Sequence, residues 1–134
     1  MQIKALKLTT VEDYWAFRQA QTDPNRVYRI MADHGGYYLW RSGDMAPLYD
    51  CFPGIDGLWE LERRLMAWQS TYEDMQTGTA GAMNWEAFHS AGIELAGEIK
   101  AVLGDRIILI YEKPFADPNH AADELRLVEL QDAV

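Results

Sequence analysis

Four groups of residues in this chain have types and spacings that chemistry uses: Ser90 beside His89, Cys51 with His34 and His120 elsewhere, Glu86-x-x-His89, and the stretch holding Asp117, His120, Asp123 and Glu124. Nucleophilic catalysis needs a Ser, Thr or Cys within reach of a base that a third group orients. Consecutive helical residues point about 100° apart, so Ser90 and His89 do not face each other and make no dyad. Cys51 meets a histidine only through folding, and an inert packed thiol is the simpler reading. Glu86-x-x-His89 has the spacing with which di-iron bundles project two ligands from one helix face. Those sites use two such motifs and two further carboxylates, and here there is one motif. The Asp117 cluster offers ligands for a cation, but a solvated helix face or a capped loop accounts for both groups more simply. Glu60 and Arg64, four apart, read as a helix-surface ion pair.

Phosphate chemistry has no foothold. There is no G-x-x-x-x-G-K-[ST] and no G-x-G-x-x-G, so no row of backbone amides is presented to a phosphate. Gly78-Thr79-Ala80-Gly81 precedes a helical pattern without a neighbouring Lys and reads as an interhelical turn. A single cysteine excludes an intrachain disulfide and a Cys-based zinc site, and fits a reducing compartment. No enzyme class gains support, and neither a cofactor nor a metal is expected.

The elements that would position these residues follow from periodicity. Residues 2–7 alternate as a short strand, possible at an edge. Thr9 and Glu12 have capping-box spacing, and Val11, Tyr14, Trp15 and Arg18 mark a helix from about residue 10 to 21, ended by Asp23-Pro24-Asn25. Val27–Ala32 and Tyr37–Trp40 are β-branched and aromatic runs around Asp33-His34-Gly35-Gly36, the clearest hairpin in the chain. Residues 41–54 read as a loop broken by Gly43, Pro47, Pro53 and Gly54, though one that holds Met45, Leu48, Tyr49, Cys51 and Phe52.

From Asp56 to Thr77, Leu58, Leu61, Leu65, Trp68, Tyr72 and Met75 form a seam along one helix face, with Asp56 placed to cap its start and Gly78 its end. Asn84 caps a second helix, in which Trp85, Phe88, Gly92, Leu95, Ile99 and Val102 repeat the spacing up to Gly104. The pair should pack antiparallel, with Gly92 and Gly97 permitting close approach. Ile107–Tyr111 is continuously apolar, as a strand buried on both faces would be. Glu124–Leu130 is read as a last strand. The expectation is one α+β domain over residues 1–134: a small mixed or antiparallel sheet of four to five strands, with one short helix and an antiparallel pair of long helices on one face.

Composition agrees with a single packed domain. Of 134 residues, 49% are hydrophobic and 25% charged, ordinary globular usage. No secretory signal and no run long enough for a membrane span is visible, so a cytoplasmic location is expected. Lys and Arg balance Asp and Glu up to Pro53, so the whole net charge of −9 lies beyond it. Such a field repels nucleic acid and anionic membranes and favours a basic protein partner, although it also serves plain solubility.

Aromatic residues make up 12% of the chain, and the seams do not absorb them all. Asp44, Met45, Leu48, Tyr49, Asp50, Phe52, Asp56 and Trp59 together have the composition of a protein-binding patch with a negative rim. The alternative is that residues 41–54 fold back as a lid over the sheet. The helix carrying Trp85, Phe88, Gly92 and Leu95, followed by Leu103-Gly104-Asp105 and an Ile-rich strand, is similar to stretches of the immunity proteins with which bacteria neutralise secreted toxins. That resemblance implies a non-enzymatic inhibitor that occludes a basic toxin such as a nuclease. Two other readings stand beside it. One is a small-molecule-binding domain or enzyme with a pocket between the helix pair and the sheet, near Glu86, His89, Tyr111 or Glu112. The other is a homodimer in which a second copy completes the 58–75 seam.

Overall fold

A computed structural model describes residues 2–8, 11–21, 23–33, 37–41, 44–77, 83–114, 116–118 and 125–131. Its strands are β1 (Gln2–Leu8), β2 (Val27–Ile30), β3 (Leu39–Arg41), β4 (Asp44–Met45), β5 (Ile108–Glu112) and β6 (Leu125–Gln131). They form one mixed sheet in the order β1-β6-β5-β2-β3-β4. The helices are α1 (Val11–Gln19), α2 (Leu48–Cys51), α3 (Leu58–Thr77) and α4 (Trp85–Leu103). The chain is therefore α+β, as its periodicities predict, with the two-residue β4 as a sixth strand.

The apolar run Ile107–Tyr111 leads into and forms most of β5, which lies inside the sheet between β6 and β2. It pairs in parallel with β2, from Val27↔Ile108 to Ile30↔Tyr111, and antiparallel with β6. Parallel neighbours need a long crossover, which α3 and α4 supply. Alternation along the strands then splits the core. Tyr28, Ile30, Leu109, Tyr111 and Val128 face α3 and α4. Val27 and Ile110 face the other way, where Phe17 of α1 packs with Ile108 and Leu127. The short helix thus lies across the sheet from the long pair, and both faces of β5 are covered.

Leu58, Leu61, Leu65, Trp68 and Tyr72 of the α3 seam are buried against α4 and the sheet of the same chain. The seam needs no second copy to cover it, which removes the ground for a homodimer formed there. Trp68 stacks on Phe88 with ring centroids 4.6 Å apart, and Arg64 reaches Glu98, so α3 and α4 run antiparallel. Polar residues flanking the seam hold the β2–β3 hairpin. Tyr38 donates its hydroxyl proton to the buried Glu62 carboxylate, and Gln69 Nε2 donates to the Asp33 carbonyl.

Several local expectations are corrected. Arg64 does not pair with Glu60. Its guanidinium makes a two-pronged contact with Glu98 on α4, at 2.9 and 2.7 Å, which matches the carboxylate fork better than a single contact along one helix. Glu60 instead takes Arg63 at 3.4 Å. Gly57, at φ 82°, and not Asp56, stands at the head of α3, where its carbonyl accepts the Leu61 N–H at 3.2 Å. The 41–54 segment is no plain loop, since it contains β4 and α2. Thr9, Gly78 and the hairpin turn at 34–36 lie outside the described residues.

α4 is capped as its sequence predicts. The Asn84 side chain accepts the Ala87 N–H at 3.1 Å, and Gly104 at φ 55° ends the helix. Asn84→Ala should lower unfolding stability by about 1 kcal/mol, the usual worth of such a cap, with Asn84→Ser restoring most of it in urea titrations. Among the described residues no helix is long and apolar enough to cross a membrane.

Candidate functional site

Two places in the fold gather side chains that a partner or ligand would use. The first is at the head of α3. Tyr49, on the outer side of α2, meets Trp59, in the first turn of α3, edge to face at 5.7 Å between ring centroids. Both rings stay open to solvent, Tyr49 at 40% and Trp59 at 54% exposure. Met66, exposed as well, follows Trp59 by two helical turns, about 10 Å along α3. Exposed carboxylates flank the pair: Asp50 beside Tyr49, Glu60 beside Trp59, and Asp56 just before the helix.

The remaining residues of the expected patch divide between surface and core. Met45 and Asp44 are exposed on β4, where Met45 pairs with Trp40. Leu48 is wholly buried, so it anchors α2 to the core from beneath and offers nothing to a partner. Phe52 is half-buried against Tyr28, with centroids 5.6 Å apart. The segment is therefore a lid on its inner side, through Ala46 and Leu48, and a surface on its outer side.

The second place lies where the early turns of α4 cross β5. Both ring nitrogens of His89 are engaged at 2.6 Å, Nδ1 with the Tyr111 hydroxyl and Nε2 with Asp117 Oδ2. An ionised carboxylate only accepts, so Nε2 carries the proton, and Nδ1 accepts from the Tyr111 O–H. Tyr111 and Asp117 are buried. Burial is the largest influence on His89 and pushes its pKa down; the hydrogen bond and charge of Asp117 push up, and Lys113 and Arg126 push down. Burial, followed by the Asp117 charge, drives the Tyr111 hydroxyl well above the ordinary tyrosine range. A neutral imidazole with both nitrogens committed is no free base. It pins the turn closed by Asp117 N–H to the Pro114 carbonyl onto α4 and β5.

Beside this network is a cleft of about 270 Å³, with Glu86, His89, Ser90 and Ile93 on the helical side and Tyr111, Lys113 and Arg126 on the strand side. Glu112 points to the opposite face of the sheet and pairs with Arg29. Glu86 and His89 share the cleft as their spacing predicts, but among the described residues no three His, Cys, Asp or Glu converge to hold a metal. Asp117 belongs to the His89 network, while His120, Asp123 and Glu124 lie outside the described residues. Cys51 is half-buried, and both histidines considered for it, His34 and His120, lie outside them too. Set against family models, curated proteins and solved structures, the chain matches none. Sequence reasoning singled out His89 and Asp117 separately and did not join them.

Proposed function

We propose that the chain is a non-enzymatic protein-binding module, an immunity-type inhibitor that neutralises a basic toxin such as a nuclease by occlusion. The observation that carries this reading is the exposed Tyr49–Trp59 pair among Asp50, Asp56 and Glu60. Large aromatic rings gain most when a partner desolvates them, and they dominate interface energetics. Here they stand on helices already fixed by the buried Leu48 and Leu58, so little ordering would be lost on docking. The carboxylates around them, in a chain of net charge −9, would draw in a basic surface and fix its register.

The test uses the purified full chain and any basic nuclease domain encoded beside its gene. Stoichiometric addition should abolish nuclease activity. Trp59→Ala and Tyr49→Ala should each weaken the complex by roughly ten- to a hundredfold, in line with hot-spot aromatics, while thermal unfolding stays within a few degrees of wild type. Replacing Asp50 and Asp56 by Lys should chiefly slow association, and more so at low salt. Full nuclease activity in excess inhibitor, or wild-type affinity in both aromatic variants, defeats the reading.

A further inference from the structure

We infer that the surface at the start of α3 takes an arginine side chain of its partner, laid on the Trp59 ring above the buried Glu62 carboxylate. This inference rests on the docking surface proposed above and names what it grips. Glu62 follows Trp59 by three residues on α3, so the two side chains are neighbours on the helix surface. The Glu62 carboxylate accepts the Tyr38 hydroxyl proton. That hydroxyl in turn accepts the Leu48 N–H and lies within the field of Asp50, both in α2. Tyr49, between them, meets Trp59. The aromatic pair and the buried carboxylate therefore belong to one corner, where α2 reaches the first turns of α3.

Glu62 is the observation that carries the inference. It is only 4% exposed, yet among the described residues no Lys, Arg or His pairs with it. Buried charges are ordinarily paired, because an ion loses its hydration on leaving water. The Tyr38 hydroxyl returns one hydrogen bond and no opposite charge. The cations nearby are already engaged. Arg63 is held by Glu60, and Arg41 by the Tyr28 hydroxyl, with Asp44 close to it. Four carboxylates, Asp50, Asp56, Glu60 and Glu62, thus stand here against Arg63, and a cation from outside completes the set.

Arginine fits this corner better than lysine. Its planar guanidinium stacks on an indole, is more weakly hydrated than an ammonium, and offers a fork of donors to carboxylates. Trp59 supplies an open ring, and Asp50 and Asp56 are exposed acceptors beside it. Glu62 stays beneath and acts through its charge. Leu48 and Leu58, wholly buried around it, screen that charge less than water would, and a docked partner excludes water further.

The experiment titrates the ¹⁵N-labelled full chain with hexa-arginine and, in parallel, with hexa-lysine of equal charge, near physiological ionic strength. Hexa-arginine should bind roughly fivefold tighter or better, with shifts concentrated at residues 48–50 and 56–63 and at the Trp59 indole N–H. Glu62→Gln keeps an acceptor for Tyr38 and removes only the charge. It should weaken hexa-arginine by roughly fivefold with a urea midpoint no lower than wild type. Trp59→Leu, at an exposed position, should abolish the preference for arginine and decides alone if Glu62→Gln does not fold. Equal binding of the two peptides overturns the inference, as do shifts spread over the whole acidic surface. So does wild-type affinity in Glu62→Gln, or a loss of affinity there that is matched by a lower urea midpoint. None of these readouts needs a nuclease. If hexa-arginine binds as described and no basic nuclease is inhibited, the inhibitor reading fails and the arginine site stands. If a nuclease is inhibited while the peptides bind alike, the arginine site fails alone.

Discussion

Gly92→Val should lower the unfolding free energy by at least about 3 kcal/mol, and urea denaturation is the measurement that checks it. A Cβ at this position would lie 2.6 Å from Tyr111 Cε2 and 2.8 Å from Trp68 Cζ2, where carbon atoms at rest keep about 3.5–4.0 Å. Neither ring can step aside cheaply. The Trp68 indole N–H donates to the Phe88 carbonyl at 2.9 Å while its ring stacks on Phe88, and the Tyr111 hydroxyl is tied to His89. Overpacking a fixed core costs roughly 1–3 kcal/mol and sometimes more, and valine adds two methyl groups beyond the clashing Cβ. Gly92→Ala should cost only about 1–2 kcal/mol, because alanine regains close to 1 kcal/mol of helix propensity. Adding Trp68→Phe to Gly92→Ala should cost less than the two changes separately, since the smaller ring vacates one of the clashing positions. A Gly92→Val protein with the wild-type midpoint and slope would show that the helix–sheet contact is looser than these distances require.

Gly92 also marks how far the sequence could be read. Its place in the α4 stripe is visible from spacing, and so are the α3 seam, the β2–β3 hairpin and the apolar β5, because burial of one face imposes a period that the residues record. What spacing cannot record is which distant group satisfies a polar side chain. Glu62 and Gln69 flank the α3 seam and look like solvated positions, yet both are buried because Tyr38 and the Asp33 carbonyl come down on them from the hairpin. Likewise Arg64 had a sequence-near partner in Glu60 and takes a sequence-distant one in Glu98, where two hydrogen bonds replace one. The 41–54 segment was half legible. Its apolar content announces contact with something, but four-residue helices and two-residue strands are too short to show a period. That Leu48 turns inward while Tyr49 turns outward is decided by the core beneath α2. The same limit hid the His89 network, whose members Tyr111 and Asp117 lie 22 and 28 residues further on.

That network sets the second large effect. His89→Leu should destabilise the protein by about 3 kcal/mol at pH 7, because it removes hydrogen-bond partners from two buried groups, the Tyr111 hydroxyl and the Asp117 carboxylate, and the loss is steepest for a charged group. His89→Gln keeps part of the hydrogen bonding and should lose less. The wild type should also carry a pH dependence that both variants lack. Burial, chiefly, holds the folded pKa of His89 below its ordinary value of 6.5, so the unfolded chain takes up the proton first as the pH falls. Stability from this group is therefore complete above about pH 6.5, declines as the pH drops from there toward the depressed folded value, and levels off below it. Protonation in the folded state would turn Nδ1 into a donor facing the Tyr111 hydroxyl, whose own proton would then need a new acceptor inside the core. The Asp117 carboxylate limits the loss by favouring the imidazolium, whereas Lys113 and Arg126 deepen it. Urea midpoints measured from pH 8 to pH 5 should fall more steeply for wild type than for His89→Gln. Parallel curves would mean that His89 titrates alike in the folded and unfolded chain, and that the turn at Asp117 is held by contacts other than this ring.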